Sequence, residues 1–483
     1  MNRRDFLKTC AGAAGGPAML GRIFAASGQI MPASKAPAGS PATARAFAET
    51  SAPTSGRSVL SNRALEVRTG AKPPNIILIM ADDIGYECLS CYGSASYEPP
   101  VLDELARTGM RFEHCYSQPL CTPSRVKIMT GRSNARNYVK FGVFDFTERT
   151  FAHVMKSAGY DTCIVGKWQL TGRGVTGPYD AGFDEYCLWH MEDVDSPKGS
   201  RYRDPKIIQD GQPLGGLEGK YGPDVFCERI CDFIERHRTS ESRPFFLYYP
   251  MALTHAPFCP TPDSPEWGQD VTGNKYYRDM VAYMDKVIGR IVRKLDDLGL
   301  RESTLLLFTG DNGTATAITS KMADGSSIKG GKGSTTDAGT HVALIANWKG
   351  TTPAGKVSQD IVDFSDVLPT LADAGGASLP EGVTIDGRSF FPQLCGQKGN
   401  PRDWIFCWYQ RDPGTTLYRF ARDQRWKLYG DGDYERAGKL FDVPADRLEK
   451  NPIAPGQGGE EAASARGRLQ AVLDSMEQSA IRA

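Results

Sequence analysis

Three uninterrupted apolar runs constrain this chain most: NIILIMADD at 75–83, RPFFLYYPM at 243–251 and TLLLFTGDNG at 304–313. A strand with one wet face alternates apolar and polar residues. A strand covered on both faces is apolar throughout, as in a parallel sheet held between helices. Segments of helical period lie between the runs: 97–109, ending LDELARTG; 150–159, TFAHVMKSAG; and 275–299, which carries MVAYMDKVIGRIVRKLDDLG with Gly299 just past its last apolar position. Strands alternating with helices predict a doubly wound α/β domain over about 72–390.

The tail has another grammar. WIFCWYQR, LYRFARDQRWKLYGD and GKLFDVPADRLEKNP are short aromatic-rich runs separated by turn residues. They predict a small antiparallel sheet, with a final amphipathic helix at about 459–479, as an α+β subdomain over 391–483.

At the N-terminus, Arg3 and Arg4 precede Asp5, Phe6, Leu7 and Lys8, followed by a weakly apolar stretch with small residues near Ala26. This resembles a twin-arginine export signal over 1–30, too short and too broken by Gly and Pro to span a membrane. It implies the twin-arginine translocation machinery as a partner and a periplasmic or secreted destination. Residues 31–71, rich in Ala, Pro and Ser, read as a linker, with a second cleavage point possible in sequence terms at Ala46-Phe47-Ala48.

Lys+Arg and Asp+Glu each number 57, which argues against a broad basic face for nucleic acid. Twelve cysteines in 483 residues are too sparse for a disulfide scaffold. Cys88-x2-Cys91 and Cys227-x3-Cys231 lack a matching second pair with His, so no structural zinc site is expected.

Ligands in open α/β sheets bind beyond the carboxyl ends of the strands. Asp82 and Asp83 stand at one such end, Asp311 and Asn312 at another. These are hard oxygen donors suited to Ca²⁺ or Mg²⁺. The 243–251 run leads into LTHAPF and exposes His255, a candidate proton donor or acceptor. IVGKWQL brings out Lys167, and KGGKGSTTDAG places Lys332 in a Gly-rich loop. That loop is not a nucleotide P-loop, because Gly325-x4-Gly330 is followed by Gly331 instead of Lys. A cation, two lysines, a histidine and the Arg125 and Cys121 of CTPSR together suit a tetrahedral oxyanion ester.

CTPSR at 121–125, followed by Thr130-Gly131-Arg132, resembles the signature of the type I, formylglycine-dependent (arylsulfatase-A-like) sulfatase family. The DD of MADDIGYECLSCYG, the Lys of GKW, the His of THAP, GDNG and the Lys of GKGS follow in that family's order. The resemblance implies an alkaline-phosphatase-like fold with a mostly parallel central sheet. It also implies that a formylglycine-generating enzyme oxidises Cys121 to 3-oxoalanine (formylglycine), whose hydrate attacks sulfur and later expels sulfate. Asp82, Asp83, Asp311 and Asn312 would hold one Ca²⁺ that also contacts residue 121. Arg125 would orient the nucleophile, Lys167 and Lys332 would bind sulfate oxygens, and His255 would assist the leaving alcohol with Lys332.

Three departures stand out. Gln169 occupies the place of a His thought to deprotonate the hydroxyl during sulfate release, and an amide hydrogen-bonds but takes no proton at neutral pH. Asp337-Ala338-Gly339-Thr340-His341 replaces a Glu-Gly-Gly-x-Arg pattern, an expected change of packing. Phe258 stands where a polar residue is common, next to the expected substrate pocket. The segment 171–224, with Trp189, His190, Arg201, Tyr202 and Arg203, is expected to line the approach for a sulfated sugar. Phosphate mono- or diester hydrolysis is the rival within enzymes. A catalytically impaired sulfoglycan-binding homologue, suggested by Gln169, is the rival outside them.

Overall fold

The computed structural model describes residues 72–191, 199–239 and 243–481; the signal-like segment and the linker lie outside the described residues. The strands up to the tail are β1 (Asn75–Ala81), β2 (Met110–Tyr116), β3 (Asp161–Lys167), β4 (Glu185–Trp189), β5 (Ile208–Gln209) and β6 (Gln212–Pro213). They continue with β7 (Phe245–Pro250), β8 (Thr304–Gly310), β9 (Thr319–Lys321), β10 (Ser327–Lys329), β11 (His341–Asn347) and β12 (Lys356–Asp363). Ten of them form one sheet in the order β12-β2-β11-β8-β1-β7-β3-β4-β5-β6, while β9 and β10 pair separately as a hairpin.

The run β8-β1-β7-β3-β4 is parallel throughout. Helices of two turns or more are α1 (Pro100–Thr108), α2 (Cys121–Thr130), α3 (Phe151–Ser157), α4 (Gly222–Arg236), α5 (Tyr276–Asp297), α6 (Val367–Gly375) and α7 (Gly459–Ile481). Strand β1 shows why its sequence is apolar without a break. Ile77, Ile79 and Ala81 enter the core shared with α1, α4 and α5, and Ile76, Leu78 and Met80 enter the opposite core with α2, α3 and α6.

Two glycines let the strand ends crowd together at one edge. At Gly310 a Cβ would stand 2.0 Å from the Ile84 carbonyl oxygen, and at Gly166, with φ +127°, 2.1 Å from that of Pro250. Asp311 and Lys167 are the next residues in the chain, so these close approaches position charged groups.

The expected strands at 75–83, 243–251 and 304–313 and the three expected helices are present with trimmed ends. Strand β11 runs antiparallel to both β2 and β8, making the sheet mixed. The direction of a strand is set by its neighbours and leaves no mark on its apolarity, which is why the antiparallel course of β11 was not legible in the sequence.

In the tail, β13 (Ile405–Tyr409), β14 (Tyr418–Arg422), β15 (Trp426–Tyr429) and β16 (Leu440–Asp442) form an antiparallel sheet. One face, with Phe406, Ala421 and Leu428, packs under Ala465, Leu469 and Leu473 of α7. The other, with Phe420, Tyr429 and Phe441, packs on Tyr116 and Ile361 of the large sheet's edge. No helix of the described residues is long and apolar enough to cross a membrane.

Asp285 of α5 caps α1, accepting from the backbone N–H of Val101 and Leu102 at 2.9 Å each. Burial pushes its carboxyl up to about 6, opposed by those two donors and aided by the charge of Asp103. A folded value above the ordinary 3.8 means that Asp285 contributes most stability below pH 3.8 and loses that contribution as pH rises through about 6. The stability advantage of the wild type over Asp285→Asn should therefore widen as pH falls from about 7 to about 4.5, read from urea midpoints of both proteins at each pH.

Candidate active site

Four neighbouring strands, β8, β1, β7 and β3, deliver the charged residues side by side. Past β1 the chain turns at Asp83, with φ +60°. The Asp82 N–H donates to the Leu253 carbonyl at 2.8 Å, and the Thr254 N–H donates to the Asp82 carbonyl at 2.7 Å, tying the β1 and β7 ends together. Past β8, the Asp311 N–H donates to the Ala81 carbonyl at 2.8 Å, and the Asp83 N–H donates to Asp311 Oδ1 at 3.0 Å. Asn312 Nδ2 donates to Asp83 Oδ1 and to the Gly313 carbonyl, both at 2.9 Å. All four predicted oxygen-bearing residues are buried.

Each carboxylate meets a cation. Lys167 Nζ donates to Asp82 Oδ2 at 2.8 Å, and Lys332 Nζ to Asp83 Oδ2 at 2.6 Å. Arg125 donates from Nη2 to Asp311 Oδ2 and from Nη1 to the Lys167 carbonyl, each at 3.2 Å. His255 Nε2 lies 3.6 Å from Asp83 Oδ2, and its Nδ1 is 2.6 Å from the Ala256 carbonyl, a contact that assigns the neutral ring's proton to Nδ1.

Burial alone would raise Asp82, but Lys167, His255, Arg125 and Lys332 together hold it well below the usual carboxylate range. Burial and the Asp82 charge push Asp311 upward against Arg125 and Lys167. Burial lowers His255 to about 4, with Asp83 and Asp82 opposing and Lys167 and Arg201 adding to the effect, so the ring is neutral at neutral pH.

Cys121 opens α2 as a buried free thiol at its first position, and Pro123 occupies the first turn, where its missing N–H costs no helical bond. The eleven described cysteines are all free. All ten residues of α2 are buried, and Lys127 anchors the helix by donating to Asp363 Oδ2 at 2.7 Å and the Phe406 carbonyl at 3.2 Å.

The residues present fit a hard divalent cation. Asp82 Oδ1 and Asn312 Oδ1 are buried oxygens with no hydrogen-bond partner among the described residues. Asp82, Asp83 and His255 offer donor atoms within 4.8 Å of one another. Three carboxylates repel at this density, and oxygen-rich sets of this kind are what Ca²⁺ and Mg²⁺ select.

Gln169 lies just past β3 in the left-handed region, φ +60°, with its N–H donating to the His190 carbonyl at 3.1 Å. Its Oε1 is buried without a hydrogen-bond partner among the described residues. Two expectations about the surroundings need correction. Phe258 packs edge-on against Tyr277, 5.2 Å between ring centres, and so belongs to the core instead of a substrate wall. Of the segment expected to line the approach, Trp189 ends β4 and is buried, Tyr202 is buried as well, and Arg203 is exposed.

Sequence reasoning missed the brace beneath Lys332. Asp337, in the same loop, receives Arg422 Nη1 of β14 at 2.5 Å and faces His341 Nδ1 at 3.2 Å. Glu449 Oε1 accepts from the Asp337 N–H at 2.8 Å and from Lys427 Nζ of β15 at 2.9 Å. Lys427 also donates to the Thr335 carbonyl. The altered Asp337–His341 segment is thus matched by residues of the small sheet. Charged residues inside the aromatic runs at 418–429 were the available signal.

A family model described as Sulfatase matches residues 74–377. The N-acetylgalactosamine-6-sulfatase of Canis lupus familiaris is 34% identical over 385 residues, 73% of this chain and 72% of that protein. Arylsulfatase A of Homo sapiens is 34% identical over 394 residues, 74% of this chain and 75% of its own. Among solved structures, Ps i-CgsB in complex with k-i-k-neocarrahexaose matches with a TM-score of 0.70 and 25% identity, covering 85% of this chain and 93% of that one. The chain therefore belongs to the sulfatase family, as an arylsulfatase-A-like type I member, and is a sulfuric ester hydrolase.

Removing the carboxylate of the brace leaves Arg422 buried and unpaired by Asp337. Asp337→Ala should cost about 3–5 kcal/mol in urea unfolding, and should slow hydrolysis of nitrophenyl sulfate because the Lys332 loop loses its support.

Proposed function

We propose that this protein is an exported enzyme that hydrolyses a sulfate ester on a sulfated carbohydrate, using a formylglycine formed from Cys121 and a Ca²⁺ ion. The observation that carries the reading is the convergence of Asp82, Asp83 and Asp311 with Lys167, Arg125, Lys332 and His255 at one sheet edge, beside two buried oxygens left for a ligand. The carbohydrate substrate is supported by the relative named N-acetylgalactosamine-6-sulfatase and by the neocarrahexaose complex of the structural neighbour. The twin-arginine-like start supports export and the translocation partner. CTPSR supports maturation by a formylglycine-generating enzyme.

Asp82, Asp83, Asp311 and Asn312 would hold the cation, which would supply Lewis-acid polarisation of a sulfate oxygen. Oxidation of Cys121 and hydration would supply the oxygen nucleophile that a thiol lacks. Arg125, fixed between Asp311 and the Lys167 carbonyl, orients and neutralises charge at residue 121. Lys167 and Lys332 present ammonium groups to the non-bridging sulfate oxygens, where negative charge must be balanced as the ester bond breaks. His255 and Lys332 meet the same oxygen of Asp83, so both flank one point; there the Lys332 ammonium gives a proton to the leaving alcohol, and the neutral His255 ring offers its unprotonated Nε2 as a hydrogen-bond acceptor. Gln169 Oε1 is free to accept a hydrogen bond but cannot carry a proton away, so either sulfate release is slowed or a different group serves as its base.

Mass spectrometry of the residue 121 peptide from the native host should show the aldehyde or its hydrate, and an unmodified thiol there would sink the mechanism. Nitrophenyl sulfate should be cleaved in preference to nitrophenyl phosphate, and the opposite preference would favour the phosphate-ester reading. Lys332→Ala should lower kcat about 10²–10³-fold. Chelator treatment should lower both Tm and activity, with Ca²⁺ restoring them in the wild type but not in Asp82→Asn.

A further inference from the structure

One guanidinium next to the active site takes no part in the chemistry above. Arg201 stacks on the ring of Trp189, 4.1 Å from guanidinium carbon to ring centre. Trp189 is the register partner of Lys167 across β3 and β4, so Arg201 stacks on the neighbour of the lysine that meets Asp82, and its charge is felt at His255. The next residue fixes the position: the Tyr202 hydroxyl donates to the carbonyls of Ala252 at 2.9 Å and His255 at 2.5 Å. The Trp189 indole N–H donates to the Gly199 carbonyl at 3.4 Å, holding the stacking platform from the same segment. Arg201 Nη1 is buried and has no acceptor among the described residues.

A stacked guanidinium spends its face on the aromatic ring and keeps its edge for planar or tetrahedral oxyanions. A donor shielded from water and without an acceptor is costly unless a ligand completes it. Lys167, Lys332 and Arg125 are each matched by a carboxylate of the site, and none of those carboxylates reaches Arg201 Nη1.

We infer that Arg201 binds a second anionic group of the substrate, a carboxylate or another sulfate on the same or the adjoining sugar, so that the enzyme selects polyanionic glycans over singly sulfated ones. The inference rests on the sulfatase reading only for where the reacting ester lies.

The test compares kcat/KM of the full-length matured enzyme on three ligands: a monosulfated hexosamine, its disulfated counterpart, and the monosulfated hexosamine joined to a uronic acid. The wild type should prefer at least one doubly charged substrate, and which one it prefers identifies sulfate or carboxylate as the group read. Arg201→Gln should lower that preference about 10- to 100-fold, mainly through KM. Arg201→Lys should fall between, and Arg203→Gln, at the exposed neighbour that donates to the Gly268 carbonyl, should keep the preference. No preference in the wild type, or an equal loss on all three substrates in Arg201→Gln, overturns the inference. If no sulfate is released from any of them, the sulfated-carbohydrate reading fails separately. Calorimetric titration of the same ligands into Cys121→Ala, with and without Arg201→Gln, then decides whether Arg201 discriminates by charge.

Discussion

Burying Asp82, Asp83 and Asp311 together is the constraint around which this molecule is organised. Isolated buried carboxylates lose several kcal/mol of hydration each, and at this spacing they also repel one another. Lys167, Arg125 and Lys332 offset that cost from three separate parts of the chain. The bound cation proposed here would complete the balance. The same charges that make the cluster tolerable are those a sulfate ester requires, so stability and catalysis draw on one set of residues.

Holding that cluster demands accuracy at strand ends. The parallel register of β8, β1, β7 and β3 brings the four ends level, and Gly310 and Gly166 allow backbones to approach where any side chain would collide. Cys121 and Arg125 arrive on α2, an entirely buried helix anchored through Lys127 to Asp363 and the Phe406 carbonyl. Lys332 comes from a loop that the large sheet does not hold by itself. Arg422, Lys427, Tyr429 and Glu449 of the C-terminal part fasten it through Asp337 and Thr335. The small sheet is in this sense part of the active-site scaffold.

The sequence departures acquire different weights once packing is known. Asp337 and His341 form a satisfied local pair with Arg422, and Phe258 is a core residue against Tyr277. Gln169 keeps a buried acceptor without a hydrogen-bond partner among the described residues, in keeping with the ligand-facing place proposed for it. Arg201, named in the sequence only as part of a polar aromatic segment, gains a specific geometry from stacking on Trp189.

Apolar runs, helical periods and the charged residues at run ends were enough to read an α/β sheet through β1, β7 and β8, the helices α1, α3 and α5 beside it, the small antiparallel sheet with α7, and the charged groups at the large sheet's strand ends; α4, α6, β2, β11 and β12 were not read. Those features are local: period and residue type follow from burial on one face, two faces or none. The antiparallel course of β11, the bracing of Lys332 by β14 and β15, and the stacking of Arg201 on Trp189 were decided only by tertiary structure. Each joins residues far apart in the chain or depends on strand direction. Neither the distance closed by folding nor the direction of a neighbour is written in the residues that meet.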